Sequence, residues 1–170
     1  MEIGAMVIAI VGVTGTLGGA LLTQRGAERA KRREIELVRG HAEARDDLAL
    51  RRGCYAALNR DARQFTTALN HHLHVLRERS AEEADREALD AAKSAHRDSY
   101  SEAQMIAPDA VLECAAAVNR ALNSVYGQVK GLERDAPVAG EAMVAASRAQ
   151  HGIWEQTRAM RAAMRADLGV

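Results

Sequence analysis

The chain has 170 residues, with 23 Lys and Arg balanced against 23 Asp and Glu, so its formal net charge is zero. That balance excludes a global electrostatic pull toward nucleic acid, and the length leaves room for one domain with an appendage. Aromatic residues make up 3%, proline occurs twice and cysteine twice. This composition suits long helices rather than strands and excludes a disulfide scaffold.

The first segment is apolar. Residues 3–23 contain no charged side chain. They include "VGVTGTLGG" at 11–19, where Gly12, Gly15 and Gly18 fall near the spacing of a dinucleotide-binding loop. Such a loop needs a parallel sheet, with short Val/Ile-rich strands recurring between helices. "EIELV" at 34–38 is the one later candidate strand, no turn signal precedes it, and everything from His41 onward has a helical period. A nucleotide-binding enzyme of NAD(P) type is therefore the alternative reading, and a membrane helix the leading one.

About 21 uncharged residues are long enough to cross a hydrocarbon core of about 30 Å as a helix. Before them lie Met1 and Glu2; after them come Arg25, Arg29, Lys31, Arg32 and Arg33, with Glu28 the one nearby acid. The positive-inside rule places that basic side in the cytoplasm and the N-terminus outside. A signal peptide would carry its positive charge before the apolar run, so an uncleaved anchor is expected. The basic residues also suit anionic headgroups. Ala5, Ala9, Gly12, Thr16 and Gly19 are small and spaced by four and three, a seam that continues through Thr23, Gly26 and Ala30. Small residues let helix backbones approach closely in lipid, so the seam is a candidate for self-association; Gly15 and Gly19 add a G-x-x-x-G pair on an adjacent face.

A long helix follows without a break. Leu37, His41, Ala44, Leu48, Arg51, Tyr55, Leu58, Ala62, Phe65, Leu69, His72 and Leu76 alternate by four and three, the seam of a coiled coil or bundle. Gly40 and Gly53 weaken this helix, and one of them is a candidate bend. Ser80 and Glu83 read as a capping box opening a second helix over about 81–106. Its expected inner face is thin: Ala84, Ala88, Ala91, Ala95, Ser99, Ala103 and Ile106. Pro108, with Asp109 after it, suits the first turn of a third helix with seam Val111, Ala115, Val118, Leu122, Val125, Val129 and Leu132. Pro137 opens a fourth, facing inward through Met143, Ala146, Ala149, Ile153, Met160 and Met164, with Trp154 beside that face. Gly169 is a stop signal.

The expected fold is all-α: an N-terminal transmembrane helix running into a long helix and an antiparallel helical bundle, closed within one chain or only in an oligomer. The expected division is an anchor at 1–24, a basic juxtamembrane stalk at 25–45 and the bundle at 46–170.

Few residues suggest chemistry. "NHHLH" places His71 and His74 on one helix face, candidate ligands for zinc, copper or nickel and the basis of a metal-sensor alternative. No carboxylate is read beside them at helical spacing, so no metal site is assigned. Cys54 and Cys114 read as small apolar residues flanking a seam. Glu82, Glu83, Asp85 and Glu87 suit the start of the second helix, and Arg158, Arg161 and Arg165 share one face, read as solvated, with contact to lipid or nucleic acid the alternative. No catalytic residue and no cofactor are assigned.

"VIAIVGVTGTLGGALLTQ" with its basic run, then "YSEAQMIAPDAVLECAAAVNRAL" and the terminal "AMRAAMRADLG", together resemble a broad group of small actinobacterial single-pass membrane proteins with a helical cytoplasmic domain. Some of that group are labelled plasmid spread (Kil-type) proteins. The resemblance implies a plasma-membrane location with the bulk of the chain cytoplasmic, and it supplies no catalytic residue. The expected function is that of a membrane-anchored, non-enzymatic interaction or scaffold protein. It would act through helix packing and self-association, in plasmid or mobile-element spread. Its expected partners are the lipid bilayer, further copies of itself and an unidentified protein, and no nucleic acid.

Overall fold

The computed structural model describes the backbone of residues 2–134 and 140–170, and the side chains of residues 31, 34–134 and 144–170. The described residues form four α-helices and no strand: α1 (Glu2–Glu78), α2 (Glu83–Ile106), α3 (Asp109–Arg134) and α4 (Gly140–Asp167). "EIELV" therefore lies within a helix, and the sheet that a dinucleotide site requires does not form among these residues. The chain divides into two compact units, Met1–Asp47 and Leu48–Val170.

In the unit Leu48–Val170 the helices alternate in direction. Arg79 at the end of α1 pairs with Asp85 at the start of α2. Arg86 and Asp90 of α2 meet Glu133 and Tyr126 of α3 in reverse order. His72–Glu133 and Phe65–Tyr126 are separated by the same number of residues, so α1 and α3 run parallel. Arg51 and Tyr55 reach Asp167, which sets α4 antiparallel to α1. One apolar core takes residues from all four helices, including Leu58, Phe65 and Leu69, then Leu89, then Val118, Leu122 and Val125, then Ile153 and Met160. The bundle thus closes within one chain.

The α3 seam is buried at every expected position, from Val111 to Leu132. The α1 seam is buried from Tyr55 through His72, with Leu48, Arg51 and Leu76 half-buried. Upstream, Leu37, His41 and Ala44 are exposed. In α4 Ala146, Ile153, Met160 and Met164 are buried, whereas the side chain of Met143 and the whole of Pro137 fall outside the described residues. Gln150 and Thr157 join that face; the Thr157 hydroxyl donates to the Ile153 carbonyl at 2.9 Å, so burying it leaves no orphan donor.

The α2 face matches expectation at Ser99 and Ala103, with Ala95 and Ile106 half-buried, and differs before them. Ala84, Ala88 and Ala91 are exposed, and the buried residues are Leu89, His96, Ser99 and Ala103. An alanine stripe buries little area, and the helix turns to bury Leu89 and the His96 ring instead. The helix start also moves. Asp85, not Glu83, accepts the capping hydrogen bond, from the Glu82 backbone N–H at 2.9 Å, and Ser80 lies outside the helix. Arg79 fixes this turn through two bonds to the Asp85 carboxylate, at 2.7 and 3.2 Å.

At the α2–α3 junction Ala107 is extended (φ −80°, ψ 145°), the conformation that a following proline imposes. Pro108 lies one residue before α3, and its carbonyl accepts from Val111 and Leu112. The α4 terminus is a Schellman motif. Gly169 takes φ 70°, its N–H bonds the Ala166 carbonyl and the Val170 N–H bonds that of Arg165.

Among the described residues no helix is long and apolar enough to cross a membrane. The side chains of residues 3–23, on which the anchor expectation falls, lie outside that set.

Candidate functional site

The side chains of Ala5, Ala9, Gly12, Thr16 and Gly19, and those of Arg25, Arg29, Arg32 and Arg33, fall outside the described residues. Lys31 is described and exposed. It shares an open groove with Glu34, Ile35, Val38, Arg39 and Ala42 on the unit Met1–Asp47. Ile35, Leu37 and Val38 are 54–65% exposed there. Apolar side chains this open on a helix are candidates for packing against another helix.

His71 and His74 do not converge on one point. His71 Nε2 lies 3.8 Å from Asp85 Oδ1 of α2, and His74 Nε2 lies 3.3 Å from Glu78 Oε1 on its own helix. Glu78 is a carboxylate at i+4 that the sequence reading passed over. No group of three or more His, Cys, Asp or Glu placed to hold a metal occurs among the described residues. Cys54 is buried, Cys114 is half-buried, and both are free thiols; burial, with the Glu102 charge nearby, pushes the Cys54 thiol up.

Between these histidines on α1, His72 is fully buried and anchors a polar cluster. Its Nε2 lies 3.0 Å from Glu133 Oε1, which also accepts from Arg86 Nε at 3.2 Å. Lys130 Nζ lies 3.0 Å from the other carboxylate oxygen. Burial works to raise the Glu133 carboxyl; the hydrogen bonds from Lys130 and His72 outweigh it and hold the group below the usual carboxylate range. A carboxylate held by the His72 ring of α1, Arg86 of α2 and Lys130 of α3 serves as a tie between helices.

His96, absent from the expected inner face, is also fully buried. Its ring lies 6.0 Å from Phe65 and stacks on Tyr100 at 6.3 Å. Neither ring nitrogen has a well-formed hydrogen bond among the described residues, and the Asn119 side chain makes only a weaker one. Burial pushes its pKa below the ordinary value, with Asp61 and Asn119 working in the opposite direction. Asp61 is itself buried, and its carboxylate accepts from Arg60 Nε at 2.7 Å.

Two further ties join distant parts of the chain. The Tyr55 hydroxyl donates to Asp167 Oδ2 at 2.8 Å, and Arg51 Nη1 reaches both oxygens of that carboxylate at 3.2 Å. The Tyr126 hydroxyl donates to Asp90 at 2.8 Å with Lys93 Nζ 3.6 Å above its ring; burial first, then Asp90, pushes this phenol up to about 12. Local pattern signals neither, because each joins residues in different helices.

Comparison with protein-family models, with curated proteins and with solved structures finds no match. The polar ties at Glu133, Asp90 and Asp167 join helix to helix. Ile35, Leu37 and Val38 are exposed on the stretch of α1 before the bundle, and Leu50, Met105, Val144, Trp154 and Val170 are exposed elsewhere.

Proposed function

We propose that the chain is a membrane-anchored, non-enzymatic interaction or scaffold protein acting through helix packing and self-association. The observation that carries this reading is where the α1 seam is covered. One repeat runs from Leu37 to Leu76, and the chain's other helices bury it from Tyr55 to His72. Leu37, His41 and Ala44 continue the same repeat in the open, with Ile35 and Val38 exposed beside them. A coiled-coil seam left open by its own chain is suited to a second copy. The uncharged stretch 3–23, the basic residues after it and the small-residue seam give the anchor and a way for two anchors to pair. The resemblance to plasmid spread proteins makes transfer of a mobile element between cells the setting of this reading.

A photo-crosslinking residue at Leu37 tests it, with the full chain in native membranes and the same residue at exposed Asn70 as the control. The expected result is a dimer-sized adduct from position 37 and none from position 70. Gly12→Leu with Gly19→Leu should lower its yield. Equal yields at 37 and 70, or none, would overturn self-association through this seam. Release of the chain by carbonate extraction would overturn the anchor, and NAD(P) binding by the released protein would favour the enzyme alternative.

A further inference from the structure

Trp154 is the chain's only tryptophan, and α4 leaves it 55% exposed. It lies one residue after buried Ile153, and a turn of about 100° per residue carries it off the core face. His151, Trp154, Arg158, Arg161 and Arg165 are spaced by three and four, and all are exposed. They form one stripe along a flank of α4, and from Trp154 to Arg165 it is about 16 Å long. Among the described residues none of these three arginines has an ion-pair partner. His151 Nδ1 lies 2.8 Å from the Ser147 carbonyl. Between residues 144 and 166 the one acid of α4 is Glu155, at the margin of the stripe, and Asp167 beyond it is taken by Arg51 and Tyr55.

We propose that this stripe docks on the surface of an anionic lipid bilayer, with Arg158, Arg161 and Arg165 on lipid phosphates and the Trp154 ring at headgroup level. Guanidinium groups match phosphate oxygens in two-point geometry, and the indole ring sits with its apolar body toward the acyl chains and its N–H toward water. A straight stripe on a helix held rigid by its bundle presents its groups to a flat surface together. The inference rests on the proposed anchoring in one respect: a tethered bundle meets the bilayer at high effective concentration, so a few weak contacts suffice. The same tether favours lipid phosphates over the other polyphosphate partner, nucleic acid.

The test reconstitutes the full chain in vesicles of phosphatidylcholine alone or mixed with phosphatidylglycerol, and reads the emission of Trp154 and its quenching by lipids brominated near the headgroup. In the anionic vesicles the emission should shift to the blue and be quenched. Both effects should vanish at about 1 M salt, where the Debye length falls to about 3 Å. The triple variant R158Q/R161Q/R165Q should lower the docked-to-free ratio about a hundredfold, while the matching Lys variant retains part of the quench. Equal emission and quenching in neutral and anionic vesicles would overturn the proposal, as would a triple variant that behaves like the parent. A blue shift with single-stranded RNA and none with anionic vesicles would overturn it in favour of nucleic acid. Carbonate extraction separates the two readings. A chain that stays in the membrane with Trp154 unquenched refutes the stripe and leaves the anchor. A chain that is extracted, yet is quenched when added to anionic vesicles, refutes the anchor and leaves the stripe.

Discussion

His96→Phe should stabilise the bundle. The His96 ring is fully buried between Phe65 and Tyr100, and neither of its nitrogens has a well-formed hydrogen bond among the described residues, the Asn119 side chain offering only a weaker one. A buried polar atom left unpaired costs about 1–3 kcal/mol. Phenylalanine removes both such atoms and keeps a flat ring against its aromatic neighbours. The larger six-membered ring works against this, since overpacking a core costs about 1–3 kcal/mol. The expected balance is a gain of about 1–2 kcal/mol. Urea unfolding of the full chain in mild non-ionic detergent measures it, as a higher midpoint at an unchanged slope. The pH dependence gives a second readout. Burial holds the folded imidazole below its ordinary value of 6.5, so the unfolded chain takes up the proton first as the pH falls. Stability from this site is therefore complete above 6.5 and declines below it, with a slope of up to about 1.4 kcal/mol per pH unit. The parent should lose more stability than the variant between about pH 7.5 and about pH 5.5. A variant weaker than the parent by more than about 1 kcal/mol, with the same pH slope, would refute the reasoning and show that the ring nitrogens are satisfied.

Glu133→Gln should destabilise by about 2 kcal/mol, because His72, Arg86 and Lys130 would then face a neutral amide. The parent carboxyl titrates below its ordinary 4.5, so its contribution is present above that value and is lost as the pH falls through the folded one; acid unfolding followed by circular dichroism should show this step in the parent and not in the variant. Leu122→Ala empties a fully buried position of α3 and should cost about 3 kcal/mol in the same urea assay. Gly127→Ala should raise stability by about 1 kcal/mol, since an added Cβ there meets nothing within 4 Å and α3 gains a better helix former; a lower midpoint would contradict this.

Residues that are both large and evenly spaced announced their positions. Val111 through Leu132 repeat by three and four, and all seven are buried. On α2 the same rule held for Ser99 and Ala103 but pointed earlier to exposed Ala84, Ala88 and Ala91, and the helix there buries Leu89 and His96. A pattern that counts histidine as polar does not anticipate a ring held between Phe65 and Tyr100. Ser80 and Glu83 had the letters of a capping box, but the helix begins where Asp85 bonds the Glu82 backbone and Arg79 holds Asp85 in place. Trp154 was expected beside the inner face and lies in the open, a single turn of 100° away from Ile153. The ties at Glu133 and Asp167 bring together side chains far apart in the chain, which no local period encodes. For the anchor and the small-residue seam the sequence remains the source, because those side chains lie outside the described residues.

Arg51 and Asp167 are separated by 116 residues, so the bond between them joins groups made at very different moments. At about 5–20 residues per second, translation needs about 6–23 s to travel from one to the other. Throughout that interval Leu58, Phe65 and Leu69 have no α4 to cover them. Newly made α1 therefore presents two open apolar stretches, and only the later one is closed by the remainder of its own chain. Two nascent chains meeting during that interval have a longer sticky seam to share than two finished ones.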